Sequence, residues 1–553
     1  MRKIVIILLC CTTALLAGYA GYRGYKVWKQ SHMISLARGF LAKSDNRNAL
    51  LCLQQALRSN SRNIEACRLM AELAEASHSP AVLQWRNRVV ELNPKSVEDR
   101  LALAAAAITL RDVITATNAL VGISEDGKKT AGYHNLAGTV AAGINQVSEA
   151  QFHFLEQSRL EPTNPVPQLN LAVIRLKETN AQVLAEARAS LKQLCANPVL
   201  RRQALRELVV DAMRYKQTNE ALAMSKELLQ QTNSLFRDRL LRLDVLRSTQ
   251  NPEFNTSLAA FQKEAANDMG KAYELATWQM ARTGPADVLP WLSSLPMNLQ
   301  TNQPVALLIA ECRSLSQDWR GLRASLETQS WAELDFVRHA FLARAMRGQD
   351  LTSSAKTEWG MASKIANARK ENLVMLLRLA AQWNWQGEGE EILWTIVNRY
   401  PGEKWATRAL TQILMASGQT RPLMMLLGQQ LKSRPADLST KNNLAMTALL
   451  LNAQELKPYD LAREVYQKAP TNTAYASTYA FSLHLQDKSA EALKVLETLT
   501  PQDLEDPSVA GYYGLVLKAT GNGAKAKKYL DLASKTKGLP EEQKLFDKAR
   551  GGR

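Results

Sequence analysis

Apolar residues recur along most of the chain at the three- and four-residue spacing of amphipathic helices. The pattern is clearest near the C-terminus, where the stretches 473–506 and 507–540 carry it twice in the same register. Small and large apolar residues return at an offset of 34 positions: Ala480, Ala492 and Leu496 recur as Gly514, Ala526 and Leu530. A fixed period of this length predicts a repeated unit made of two helices.

The alternation of small and large residues has a steric reason. A pair of short helices is too small to bury its own apolar face, so each pair must stack on the next. At the point where the two helices of a pair cross, only a side chain as small as Ala or Gly fits, as at Ala480 and Gly514. Larger side chains such as Tyr479 and Tyr529 are expected to fill the space between pairs.

These stretches resemble the tetratricopeptide repeat, with a small residue at position eight, Ala at position twenty and a small or apolar residue at position twenty-seven. The Pro that ends the family's unit is missing at Asp506, although Glu91-Leu-Asn-Pro94 has one at an equivalent helix end. The resemblance implies an all-α fold, a right-handed α-solenoid or superhelix of stacked antiparallel helix pairs. It also implies a concave groove that binds a peptide or another protein.

The register of the repeat divides the chain into segments. Residues 30–235 and 371–540 carry recognisable units, whereas residues 236–370 keep helical spacing but lose the register, which indicates divergent helical repeats. Residues 541–553 are predicted to form a polar capping helix and tail, because the last helix of a solenoid has no neighbour to cover it. Together the repeats amount to about 14 units of this period.

The N-terminal segment 1–29 contains an uncharged apolar run over residues 4–22, which is near the minimum length for a membrane-spanning helix. A cleavable signal peptide is the alternative. We favour an uncleaved anchor because the run continues past its small residues and aromatic side chains follow it: Tyr19, Tyr22, Tyr25 and Trp28. The sequence thus predicts a single-pass protein of a bacterial inner membrane, with its repeats on the extracytoplasmic side.

The formal net charge is +17, and lysine and arginine are spread along the whole chain. Three basic clusters stand out: Arg201, Arg202 and Arg206; Arg237, Arg239 and Arg242; and Lys525, Lys527, Lys528, Lys535 and Lys537. Solvated helix faces are the favoured interpretation, and an adaptor for nucleic acid or an acidic polysaccharide is the alternative. No nucleic-acid-binding motif accompanies the clusters, so nucleic acid is disfavoured as a partner.

Residue patterns for catalysis are scarce. The six cysteines form no CxxC, the six histidines have no HExxH spacing, and the sequence has no P-loop, GxGxxG or GxSxG motif. His134 and His153 fall on the two helices of one pair and could approach each other, while ordinary surface or packed histidines are the favoured interpretation. We therefore predict a non-enzyme without cofactor or metal, and an enzyme or non-catalytic subunit using the divergent middle region is the alternative.

In the related family the first helix of each pair faces the groove. The resemblance therefore places six residues near the inner surface: Asn135, Asn170, Asn443, Phe481, His484 and Lys518. Asn side chains there would hydrogen-bond the backbone of an extended peptide, while polar residues at exposed helix starts are the plainer interpretation.

Tryptophans are concentrated between Trp278 and Trp405. Packing between helices is the favoured interpretation, and aromatic anchors for a bound peptide are the alternative. The function that these observations predict is a membrane-anchored scaffold. It would recruit protein or peptide partners through its groove for the assembly or regulation of a membrane-linked process.

Overall fold

The computed structural model describes residues 24–77, 79–535 and 538–551. Within these ranges every regular element is a helix, so the predicted all-α fold is confirmed. Successive helices pack back on one another in antiparallel pairs, and the pairs stack, which is the architecture that the resemblance to tetratricopeptide repeats implies.

The chain divides into two compact units, Met1–Trp278 and Gln279–Arg553. Helix α15 crosses this boundary. The helices up to it are α1 (24–42), α2 (Asn46–Ser59), α3 (Ile64–Ala76), α4 (Ala81–Leu92), α5 (Val97–Thr109), α6 (Val113–Val121), α7 (Ala131–Gly143), α8 (Val147–Leu160), α9 (Val166–Arg175), α10 (Ala181–Leu194), α11 (Arg201–Arg214), α12 (Thr218–Leu229), α13 (Phe236–Ser248), α14 (Glu253–Ala265) and α15 (Met269–Thr283), with a 3-10 turn at Gly127–Lys129.

The second unit continues the helical series. Its helices are α16 (Pro285–Ser294), α17 (Met297–Thr301), α18 (Val305–Leu315), α19 (Trp319–Glu327), α20 (Asp335–Arg347), α21 (Thr352–Ala366), α22 (Lys370–Gln382), α23 (Gln386–Arg399), α24 (Lys404–Ala416), α25 (Thr420–Ser433), α26 (Leu438–Leu450), α27 (Pro458–Lys468), α28 (Thr473–His484), α29 (Ser489–Leu496), α30 (Pro501–Glu505), α31 (Pro507–Ala519), α32 (Gly523–Ala533) and α33 (Pro540–Arg550), with 3-10 turns at Ala332–Leu334 and Gln454–Leu456.

Tight turns with one left-handed residue join the two helices of many pairs. Asn145, between α7 and α8, has φ 62°, Asp487, between α28 and α29, has φ 60°, and Gly521, between α31 and α32, has φ 88°. A positive φ at this position ends the first helix and reverses the chain direction, and Gly, Asn and Asp tolerate it best. The turns therefore set the antiparallel pairing locally.

The crossing points predicted from the repeat are confirmed. Ala480 and Ala492 are fully buried, and Ala526 is 1% exposed. A Cβ atom on Gly514 would lie 2.7 Å from Cγ of Leu530, so no side chain larger than hydrogen fits there without displacing α32. The small residues thus allow the backbones of paired helices to approach closely.

The tryptophans of the middle region pack into the core of the second unit. Trp331 and Trp359 are 4% exposed, and Trp383 and Trp385 pack at the edge of the same apolar cluster. The guanidinium of Arg347 lies 3.8 Å from the centre of the Trp385 ring, close enough for a cation–π contact. These rings therefore serve interhelical packing, although Trp405 is 41% exposed.

The predicted location in a bacterial inner membrane is contradicted. None of the described helices is both long and apolar enough to cross a bilayer. Helix α1, the first one described, carries Lys26, Lys29 and Arg38, and these charges interrupt the apolar run that a spanning helix requires. The predicted anchor itself, residues 4–22, lies outside the described residues, as does the start of the predicted 1–29 segment. The domain boundaries at residues 235 and 370 stay predictions.

Candidate functional site

The candidate site lies in the second unit on the first helices of the last three complete pairs. We call the face formed by α26, α28 and α31 the first-helix surface. Each of these helices starts at a side-chain cap: Asp437 accepts from the amides of Ser439 and Thr440, Asn472 from that of Tyr475, and Asp506 from that of Ser508. The caps satisfy backbone N–H groups that the helix itself leaves unpaired, which fixes where each helix begins.

Helix α33 lies across this surface. Its partly buried residues share one face of the helix: Pro540, Glu541, Glu542, Leu545, Phe546 and Ala549. Leu545, Phe546 and Ala549 pack against an apolar cluster that includes Leu449 of α26, Phe481 of α28 and Tyr512 of α31. The sequence predicted a cap over the end of the solenoid, whereas this helix reaches back over three successive first helices.

Hydrogen bonds hold α33 near both of its ends. The Thr420 hydroxyl donates to the Glu541 carboxylate, although these residues lie 121 positions apart in the chain. The Tyr512 hydroxyl donates to Glu542, and burial together with this carboxylate raises the pKa of Tyr512 well above its usual range. At the other end the Lys518 ammonium donates to the carbonyl oxygen of Ala549, one of the unpaired carbonyls of the last turn.

We call the part of the first-helix surface that α33 covers its seat. An aromatic contact lies at the centre of this seat. The rings of Phe546 and Tyr512 meet edge to face at 5.2 Å between their centres, and Tyr512 lies 4.9 Å from Phe481 on its other side. A Cβ atom on Gly511 would lie 2.4 Å from the Phe546 ring. Glycine at this position therefore provides the space that the ring occupies.

A cavity of about 590 Å³ remains between α33 and the first helices. Neutral polar and apolar groups dominate its wall on the repeat side, among them Met415, Asn442, Asn443, Met446, Ser477 and Thr478. Asn442 is 5% and Ser477 2% exposed, yet the Asn442 Oδ1 and Ser477 Oγ atoms have no hydrogen-bond partner among the described residues. Buried polar atoms are normally paired, but these two have almost no accessible surface, so a molecule in the cavity does not reach them in this arrangement of side chains.

Three of the six predicted groove residues are brought together here. Asn443 is exposed and lines the cavity, and Lys518 binds the end of α33. Phe481 is 1% exposed, so it supports the surface by packing rather than presenting its ring to a ligand. His484 points elsewhere: its Nδ1 lies 3.0 Å from Oγ of Ser489 at the start of α29, and burial lowers its pKa.

The other two predicted residues, Asn135 and Asn170, lie in the first unit on α7 and α9 and are half-buried. Sequence reasoning missed Asn442, Ser477 and Tyr512. Ser477 precedes Phe481 by four residues and so lies on the same helix face, which was a usable signal. The sequence could not decide between the adjacent Asn442 and Asn443, because the side chain that faces the groove depends on the rotation of α26.

In the first unit, His134 of α7 and His153 of α8 meet, as the pairing of their helices allows. Their Nδ1 atoms are 2.9 Å apart, and the Nε2 atom of His153 lies 3.3 Å from the Glu149 carboxylate. Burial lowers the pKa of both imidazoles, and for His134 the neighbouring His153 lowers it further. The pair therefore favours the neutral state, in which one ring donates a hydrogen bond to the other.

The two arginine clusters are paired with carboxylates. Asp238, fully buried, is contacted by Arg206 at 2.8 Å and by Arg202 at 3.5 Å. The other contacts are Arg201 to Glu227 at 2.7 Å, Arg237 to Glu274 at 3.3 Å, Arg239 to Glu264 at 2.5 Å and Arg242 to Glu253 at 2.9 Å. Arg202 and Arg206 share the single charge of Asp238, and the other four arginines each contact a different carboxylate, so most of the charge of these clusters is used in ion pairs between neighbouring helices.

Within the described ranges, no group of three or more His, Cys, Asp or Glu side chains is arranged to hold a metal ion. Burial raises the pKa of the Cys312 thiol to about 12, with Glu311 adding to the effect, so this cysteine is a poor nucleophile. The chemistry that the site offers is hydrogen bonding and apolar contact.

No protein-family model and no curated protein sequence matches the chain. Among solved structures it is similar to Naa15/Naa10 bound to HypK-THB, with 11% identity, 94% of this chain and 96% of that chain covered, and a TM-score of 0.28. It is similar to the APC/C hetero-tetramer Cut9–Hcn1 with 14% identity, 94% and 96% coverage, and a TM-score of 0.27. For Pseudomonas aeruginosa PilF the values are 12% identity, 46% and 99% coverage, and a TM-score of 0.26. At these values the similarities carry no argument, and the fold assignment rests on the helix pairing described above.

Proposed function

We propose that this protein is a non-catalytic scaffold that binds a protein partner on the first-helix surface. One observation carries the proposal: this surface already holds a helix, α33, whose Leu545 and Phe546 pack on its apolar cluster beside a cavity of about 590 Å³. Helix-in-groove binding is a common mode of peptide recognition by helical proteins.

The character of the site supports a protein as the partner. Apart from Asp506, the repeat side of the cavity is lined by uncharged residues, and its Asn, Ser, Thr and Met side chains suit a polypeptide backbone and apolar side chains. The arginines of α11 and α13 give the alternative of an anionic polymer little support, because five carboxylates contact the six of them. The alternative of an enzyme in residues 236–370 would have to use His339, whose ring lies 2.5 Å from Glu358 and 3.4 Å from Asp335. Asn135 and Asn170 remain proposed contacts in the first unit.

Site-specific photo-crosslinking tests the proposal. A photoreactive residue at Asn443, which lines the cavity, should form a covalent adduct with a defined protein when the full chain is expressed in its own cell. The matched control is Gln467, an exposed residue on the second helix α27, which should form none. Equal adducts at both positions, or adducts with nucleic acid at Asn443, would contradict the proposal.

A further inference from the structure

The contact between α33 and the repeats is shallow. No side chain of α33 is fully buried, whereas Phe481 and Tyr512 beneath it are 1% and 2% exposed. Leu539, the residue before the helix, is 7% exposed and packs into the core cluster of the second unit. The chain is thus fixed at Leu539, while the helix that follows is held by a partly exposed face.

The seat is also incompletely filled. A cavity of about 590 Å³ remains between α33 and the first helices, and the exposed Asn443 is among the residues that line it. Helix α33 therefore covers the first-helix surface without filling it.

The contacts of α33 define what the surface recognises. Thr420 and Tyr512 donate hydrogen bonds to Glu541 and Glu542 in the first turn of the helix. The space above Gly511 admits an aromatic ring one turn later, and Lys518 receives the last turn through a carbonyl oxygen. These features suit an amphipathic helix that begins with acidic residues and carries a Leu-Phe pair on the same face.

We propose that α33 is an internal blocker of a helix-binding site, and that the partner presents an amphipathic helix with an acidic first turn followed by an aromatic residue. This inference rests on the proposed function, since it names the chemistry and the regulation of the same surface. Partner binding requires that α33 leave its seat. The structural alternative is that α33 is only a terminal cap, which stabilises the last pair without competing with anything.

The probe for the test is a fluorescent synthetic peptide with the sequence of residues 539–551, and fluorescence anisotropy measures its binding to the full chain. Wild type should bind it weakly because the seat is occupied. Phe546→Ala removes the central ring contact of α33, so the peptide should bind this variant at least tenfold more tightly. Lys544→Ala, on the exposed side of α33, is the matched control and should behave as wild type.

Two further variants keep the test decisive. Glu541→Ala removes only the contact to Thr420 and should increase peptide affinity about three- to tenfold, even if Phe546→Ala folds poorly. Adding Gly511→Ala to Phe546→Ala closes the space for the ring and should abolish the gain. Circular dichroism and Tm of the single α33 variants should stay close to wild type.

Each opposite outcome overturns the inference. A large loss of helix or of Tm in both Phe546→Ala and Glu541→Ala would mean that α33 is a terminal cap. Equal peptide affinity for wild type and both variants would mean that α33 blocks nothing. If the peptide binds no variant more tightly than wild type while a protein still crosslinks at Asn443, only this inference is contradicted. If no protein crosslinks at Asn443 either, the proposed function is contradicted as well.

Discussion

Replacing Phe481 tests whether its ring serves core packing or ligand binding. A packing ring should stabilise the fold, whereas a groove ring should contribute only to ligand affinity. The sequence placed this ring in the groove, but the structure buries it to 1% exposure, with its centre 4.9 Å from that of Tyr512. The ring belongs to a cluster formed with Leu449, Tyr512, Leu515 and Leu530. We therefore expect Phe481→Ala to destabilise α28 and α31 rather than only to weaken a ligand.

The magnitude follows from burial. A buried aromatic side chain removes about 150–250 Å² from water, worth about 4–6 kcal/mol at about 25 cal/mol per Å², and the Cβ atom that remains keeps part of this. Phe-to-Ala substitutions in cores cost about 3–5 kcal/mol. We expect a loss of about 4 kcal/mol in the free energy of opening of the helices around Phe481.

Native-state hydrogen exchange is the suitable assay, because stacked repeats unfold in parts and a single global free energy is not defined for them. Amides of α28 and α31 should exchange on the order of a thousandfold faster in Phe481→Ala, because each loss of about 1.4 kcal/mol in opening free energy is a factor of ten. The control is Asn443→Ala, whose exposed side chain should change the opening free energy by about 0.5 kcal/mol or less. A loss below about 1 kcal/mol for Phe481→Ala would refute the packing interpretation.

Two other predictions concern the helix crossings and the histidine pair. Gly514→Ala should destabilise the α31–α32 pair by up to about 2 kcal/mol, since overpacking of about 1–3 kcal/mol exceeds the gain in helix propensity. Gly428→Ala, with open space around it, should be neutral or stabilising, and hydrogen exchange of the amides of each pair measures both effects. Because burial lowers the pKa of His134 and His153, the unfolded chain binds protons more readily, so stability should be full above the ordinary histidine pKa of about 6.5 and fall below it. Tm measured against pH should flatten in His153→Gln; an unchanged slope would assign the effect to other groups.

The helix pairs could be predicted because their signals are local. Ala480 and Gly514 are small because two backbones cross within one unit, and the 34-residue offset repeats that requirement along the chain. The approach of His134 to His153 followed from the same pairing, since the two residues lie at matching positions of adjacent helices.

The seat of α33 could not be predicted in the same way. The hydrogen bond from Thr420 to Glu541 joins residues far apart in the chain, and a periodic sequence pattern does not predict a contact of this kind. Leu545 and Phe546 in an otherwise charged helix were the available hint, because an adjacent Leu and Phe give such a helix one apolar face that packs on other helices. The choice between the adjacent Asn442 and Asn443 depends on the rotation of α26, and the predicted groove residues stay predictions.

The central claim is that a protein partner binds the first-helix surface. Hydrogen–deuterium exchange of the full chain, with and without the partner captured at Asn443, tests it most directly. The account predicts slower exchange on partner binding in α26, α28 and α31, faster exchange in α33 as it leaves its seat, and no change in the second helices α27 and α29. Protection confined to the second helices, or to the arginine-bearing helices α11 and α13, would contradict it.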